Sequence, residues 1–307
     1  MTTTAKNWVA YGLVIIVALF FSLPFYQAKF IPTHDGEYHI IRYMDFYRSL
    51  SDGHIIPRWA PTMNSGYGTP IFNFQYPFPN YVGAFLHLFG LQFVDAFKVS
   101  IALGYLVAAI GCLWLLRRFF SLYEATVGTI AMLLVPYWFV DMGVRGSVGE
   151  VWALAWLFVA LGSIVHRRSL IVGLSVFLLI ISHNILSMLF VPILYIVIFF
   201  YDRKLISYWI LGIGAATFFW LPALAERGYV VGLNTASYND HFASIKELIV
   251  PSWGTGFSAG SPVGKMSFQI GVASFLWITG AVYAFIRERK KRVRGISVSM
   301  MVLASCA

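Results

Sequence analysis

Charge is what this chain has least of: Asp, Glu, Lys and Arg make up 11% of its 307 residues, against about a quarter in a soluble domain. Hydrophobic residues reach 59% and the mean hydropathy is +0.74. That balance excludes a soluble globular domain and predicts an all-α polytopic membrane protein. Cysteine is nearly missing. Cys112 and Cys306 are the two present, and both lie in apolar runs, which excludes a disulfide framework and metal-type cysteine pairs. The sequence has no phosphate loop, dinucleotide fingerprint or nucleophile elbow, so no nucleotide cofactor is expected.

What charge remains is sorted by position. Apolar runs fall at 8–26, 96–116, 122–140, 150–165, 169–182, 184–200, 205–222 and 267–286, with a last one beginning near Ile296. They predict about nine transmembrane helices in a single transmembrane domain, 1–307. If each run crosses once, Lys6, Arg117/Arg118, Arg167/Arg168, Arg203/Lys204 and the cluster Arg287 to Arg294 share one side. That side gathers 13 of the 22 Lys and Arg residues. The positive-inside rule makes it the cytoplasm, with the N-terminus inside and the chain in the inner membrane. The net charge of +9 then reflects topology, and no nucleic-acid partner is expected. The exit of the first run, "SLPFYQAKF", has no small-x-small cleavage site and reads as an uncleaved anchor. The ending "MVLASCA" falls partway through the ninth run, as expected of a fragment.

Ten of the 13 carboxylates fall on the opposite, external side, as do two long polar segments, 29–95 and 223–266. The first opens with "PTHDGEYHIIR", where Asp35 is a natural N-cap and Gly53 a natural stop for a surface helix. Helical spacing puts Asp35, His39 and Arg42 on one face above the bilayer. Further on, "GYGTPIFNFQYPFPNY" carries aromatics at every second residue and predicts an extended strip. The second segment shows no clear internal structure. The 32-residue run 169–200 divides best into two helices meeting at "SHN", 182–184.

Several groups have the makings of chemistry. Asp35 could deprotonate a hydroxyl, or bind a divalent cation together with Glu37; equally, Asp35 could only cap its helix. His34 and His39 stay ambiguous. In "VDMGVRGSVGE", Arg145 could fork onto a phosphate, with Gly146 and Gly149 letting a ligand approach, or could simply pair with a nearby acid such as Asp141 or Glu150. His183 lies where an ionisable group is costly, and Arg58-Trp59 suits the interface as well as a ligand.

The order Asp-x-x-x-His at Asp35, "GHIIPRW", "GYGTPIFNFQYPFPNY", "VRGSVGE" and "SHN" resembles the bacterial integral membrane proteins labelled 6-pyruvoyl-tetrahydropterin-synthase-related. The architecture is similar to that of GT-C glycosyltransferases, with a large first external loop and an acid just after the first span. The resemblance implies transfer of a sugar from a polyprenyl-phosphate donor among membrane lipids, on the external face. It also implies Asp35 as base or metal ligand with Glu37 as partner, a divalent cation such as Mg or Mn, and Arg145 as a donor-phosphate contact; His183, His39, Arg58 and Glu150 are the further candidate substrate contacts. A non-catalytic transporter or flippase-like handler of lipid-linked saccharide is the competing expectation.

Overall fold

The computed structural model describes residues 3–27, 29–230, 242–258, 264–275 and 279. Among these, helices form the whole framework, and extended pairing is limited to isolated bridges. Helix α1 (Thr3–Ser22) runs into a 3₁₀ turn at Leu23–Tyr26; α2 spans Gly36–Ser51, α3 Ile71–Phe74, α4 Phe78–Leu88 and α5 Phe93–Leu116. Then follow α6 (Leu122–Leu133), α7 (Pro136–Val140), a π-helical turn at Asp141–Arg145, α8 (Val148–Val165), α9 (Ser169–Ile180) and α10 (Asn184–Tyr201). Next come α11 (Ile206–Ala215), α12 (Thr217–Glu226) and α13 (Ile245–Ile249).

Among the described residues four helices are long and apolar enough to cross a membrane: Ala5–Tyr26, Phe93–Leu116, Val148–Val165 and Asn184–Tyr201. Two bent pairs raise the number to six if each counts as one span. Of the expected nine, seven fall within the described residues, against these four to six. The run at 169–182 forms a helix of 12 residues, about 18 Å at 1.5 Å per residue, short of the roughly 30 Å of a hydrocarbon core. The runs at 122–140 and 205–222 become pairs bent by 43° and 59°. The first break precedes Pro136, which pushes Val135 out of helical geometry. Beyond residue 275, nearly all of the last two expected spans lie outside the described residues, as does the end of the chain.

Helix α8 is the centre. It is apolar all round and almost wholly buried, as a helix surrounded by others should be. Small residues bring α5 against it: a Cβ on Gly104 would meet Val151 at 2.8 Å, one on Gly111 would meet Val159 at 3.1 Å, and one on Gly162 would meet Trp114 at 2.7 Å. Lipid tails give little driving force for helix association, so close packing of this kind has to supply it. The break at 182–184 falls where the sequence puts it, between α9 and α10.

Side-chain contacts also sort the two ends of the bundle. At one end Arg118 and Tyr201 donate to the Val165 carbonyl, and Arg167 pairs with Asp202 at 3.2 Å, so three basic clusters assemble together. At the other end, "PTHDGEYHIIR" meets the Asp141–Arg145 turn.

Two expectations for the first long segment divide. The helix from Asp35 to Gly53 is present, with Gly53 at φ +92°. Asp35, however, occupies the N-cap position without capping; the Thr33 hydroxyl accepts from the Gly36 N–H instead. The aromatic strip at 72–81 is not extended. Its prolines start helices rather than prevent them: Pro77 and Pro79 flank the first residue of α4, where a missing N–H costs nothing. α4 then packs on α2, and a Cβ on Gly83 would overlap the fully buried Tyr43 ring. Gly83→Val should cost about 1–3 kcal/mol by overpacking, read as a lower unfolding midpoint in detergent; an unchanged midpoint would show that the α2–α4 contact gives way freely.

Candidate functional site

The site is built on the π-helical turn between α7 and α8. Gly146 ends that turn at φ +68°, a left-handed conformation natural to glycine. Its position is fixed from outside: the His34 N–H donates to the Val144 carbonyl and the Asp35 N–H to the Arg145 carbonyl, both at 2.9 Å. The first loop is thus laid along the turn by two main-chain hydrogen bonds. The expected ligand space at Gly146 and Gly149 is already filled, because a Cβ on Gly146 would overlap Thr33 and one on Gly149 the Tyr76 ring. These glycines admit neighbouring side chains of the protein.

Arg145 is committed. Its Nη2 reaches Glu150 Oε1 at 2.5 Å and its Nη1 reaches Glu150 Oε2 at 2.7 Å, a two-pronged pairing. The same Nη1 also contacts Asp141 Oδ1 and the Tyr137 hydroxyl, each at 3.0 Å. Tyr137 itself donates a very short hydrogen bond to Glu150. His183 Nε2 lies 3.7 Å from Glu150 Oε1, an ion pair whenever the ring is protonated. Tyr76 covers the group, its ring 5.0 Å from that of His183. Asp141 and Glu150 are buried, and Asp141 Oδ2 has no hydrogen-bond partner among the described residues. Of the two roles that the sequence allows Arg145, the internal ion pair is the one observed.

Asp35 stands apart from this knot. It is half-buried, and its carboxylate accepts no hydrogen bond among the described residues, although its backbone is pinned beside Arg145. Glu37 is exposed, and residues two apart on a helix do not face each other. Among the described residues no group of three or more His, Cys, Asp or Glu gathers as a metal site would need. Among the described residues nothing gathers Asp35 and Glu37 with a third such ligand.

The face shared by Asp35, His39 and Arg42 exists, but its middle residue turns inward rather than toward water, while Asp35 and Arg42 are partly exposed. His39 is 2% exposed and stacks on Phe97, with ring centroids 6.0 Å apart. Burial first, and then the Arg42 and His183 charges, push its pKa down to about 3. The unfolded chain takes up a proton near pH 6.5 that the folded one refuses. Stability present above pH 6.5 should therefore be lost as pH falls toward 3, by about 1.4 kcal/mol per pH unit. Unfolding in mixed micelles should show that slope in the wild type and a shallower one in His39→Leu; equal slopes would contradict the assignment.

Arg58 belongs to another part of the molecule. Pro222 inside α12 has no N–H for the Phe218 carbonyl one turn back, and Arg58 Nη2 donates to that carbonyl at 2.8 Å. Its Nη1 holds Asn73, which in turn donates to Glu226. Arg58 thus ties α3 to a broken span, a role with no local sign in the sequence. The sequence offers Tyr76 only as part of the aromatic strip and passes over Tyr137, which the spacing one turn before Asp141 could have suggested. His34 is bound to the second long segment through the Thr255 carbonyl at 2.8 Å and the Phe257 ring at 4.4 Å. That segment also has structure the sequence reading leaves out, since Ser244 and Glu247 form a capping box at the start of α13.

Comparison with known proteins agrees with the membrane character. A 75-residue stretch, 24% of this chain, is 29% identical to an uncharacterized protein of Lactococcus lactis subsp. cremoris (strain MG1363). The match spans 12% of that relative's length. No solved structure matches. The description of the 6-pyruvoyl-tetrahydropterin synthase related domain, a membrane protein family, matches residues 72–306; it takes in Arg145, Glu150 and His183 and begins after Asp35. With most of its length matched, this chain belongs to the 6-pyruvoyl-tetrahydropterin synthase related family of membrane proteins.

Proposed function

We propose that the chain is the membrane part of a glycosyltransferase of GT-C-like architecture, moving a sugar from a polyprenyl-phosphate donor to an acceptor hydroxyl on the external face. The acceptor oxygen attacks the anomeric carbon, the bond from that carbon to the phosphate oxygen breaks, and the hydroxyl proton passes to Asp35. The polyprenyl phosphate leaves with the bonding electrons, and the anomeric centre inverts. The observation that carries this reading is Asp35 itself: a carboxylate at the mouth of the bundle, positioned by its backbone and accepting no hydrogen bond among the described residues. A general base must have an open oxygen within reach of the proton it takes. The knot around Arg145 would hold the turn to which that base is fastened. No step is routed through a divalent cation. The assay is sugar transfer from a labelled polyprenyl-phosphate sugar by the purified full-length protein; full activity in a folded Asp35→Asn variant would overturn the reading.

A specific observation favours the competing transporter reading. Asp141 and Arg145 lie on the second half of a span bent by 43°, and one buried Asp141 oxygen is open. Ionisable groups on broken helices are how transporters hold their cargo. In proteoliposomes, movement of a lipid-linked saccharide without transfer of its sugar would decide for this alternative.

A further inference from the structure

Arg145, the arginine that the sequence offers to a phosphate, already has its acceptors. Arg42 does not. It lies on α2 seven residues after Asp35, two turns along the same face, and three after the buried His39. Its Nε is buried with no hydrogen-bond partner, and its terminal nitrogens make no hydrogen bond or ion pair among the described residues. Burying a guanidinium nitrogen without an acceptor is costly, and an arginine so placed is poised for an anion.

We infer that Arg42 is the phosphate-binding residue of this site, and that the ligand is the phosphate monoester or diester of an amphiphile held at the mouth of the bundle. A guanidinium presents paired N–H donors that match two oxygens of a phosphate. The charges near Arg42 belong to Asp35, with the Tyr38 and Tyr76 hydroxyls also in electrostatic range. Burial lowers the Arg42 pKa, and these three groups oppose it. The arrangement puts a phosphate on the same face of α2 as the Asp35 carboxylate and within its electrostatic range, so that donor and base would share one mouth. The inference rests on the donor class proposed above, but binding can be tested without any transfer.

The experiment measures binding to the purified full-length chain in nanodiscs, using a polyprenyl monophosphate, the matching polyprenyl alcohol and inorganic phosphate as probes. The monophosphate should bind the wild type and Asp35→Asn. Arg42→Met should bind it about 30-fold more weakly, the equivalent of about 2 kcal/mol, as expected when one partner of a buried charged pair is removed. Arg42→Lys, which keeps the charge and loses the fork, should fall between. In the wild type, which needs no variant to fold, the alcohol should bind far more weakly than the monophosphate. Competition by inorganic phosphate at the same concentration as the lipid would assign the site to free phosphate instead of a lipid headgroup. Equal binding of alcohol and monophosphate, or undiminished binding by folded Arg42→Met, would overturn the assignment. Binding as expected with no sugar transfer would leave the phosphate site standing and remove the transferase.

Discussion

Arg145→Met is expected to destabilise the protein by about 3–5 kcal/mol, the range for stripping one partner from a buried ion pair. Glu150 and Asp141 are both buried, and without the guanidinium they face each other with no cation between them. Methionine matches much of the arginine stem, so the loss measures charge more than volume. Glu150→Leu should cost a similar amount by leaving Arg145 with Asp141 alone. Joining the two changes removes both halves of the fork, and the double variant should be less destabilised than the sum of the singles by at least about 2 kcal/mol. Unfolding midpoints in mixed micelles supply all four corners of the cycle. Simple additivity would mean that the fork contributes nothing as a pair.

The second large effect concerns rate. Asp35→Asn should lower sugar transfer by about 10²- to 10⁴-fold, the usual contribution of a positioned base. Its unfolding midpoint should stay close to that of the wild type, because the carboxylate accepts no hydrogen bond among the described residues and the backbone contact to Arg145 does not depend on the side chain. Asp35→Glu keeps the base on a longer arm and should recover part of the rate. A midpoint that falls together with activity would instead make Asp35 a structural residue.

The contrast between these experiments follows what could be read from residue order. Local signals were sound where the interaction is local: Gly53 stops α2, and "SHN" divides α9 from α10. Basic pairs marked one end of the bundle, and Arg118, Arg167 and the Val165 carbonyl meet there. Local signals failed where a distant partner decides the outcome. The alternating aromatics at 72–78 suggested an extended strip, but Phe78 finds the Ile181 carbonyl and Tyr76 finds Gly149, and those contacts support helices on either side. Arg58 looked like a ligand contact until Pro222, 164 residues later, left a carbonyl for it to satisfy. Span number is met only in part, because hydropathy records how apolar a run is and not whether it bends: the 59° break between α11 and α12 lies within a run that reads as continuous.

The two hydrogen bonds that join His34 and Asp35 to the Val144–Arg145 backbone have a consequence for how this site could change. They are made by peptide groups, so they specify an address and leave the occupant open. Any residue except proline can live at 34 or 35 without losing its place over the turn. The reactivity displayed at the mouth of the bundle is therefore interchangeable, while the coordinates at which it is displayed are inherited from the scaffold. Relatives sharing this turn could carry different chemistry at the same spot with little change in fold.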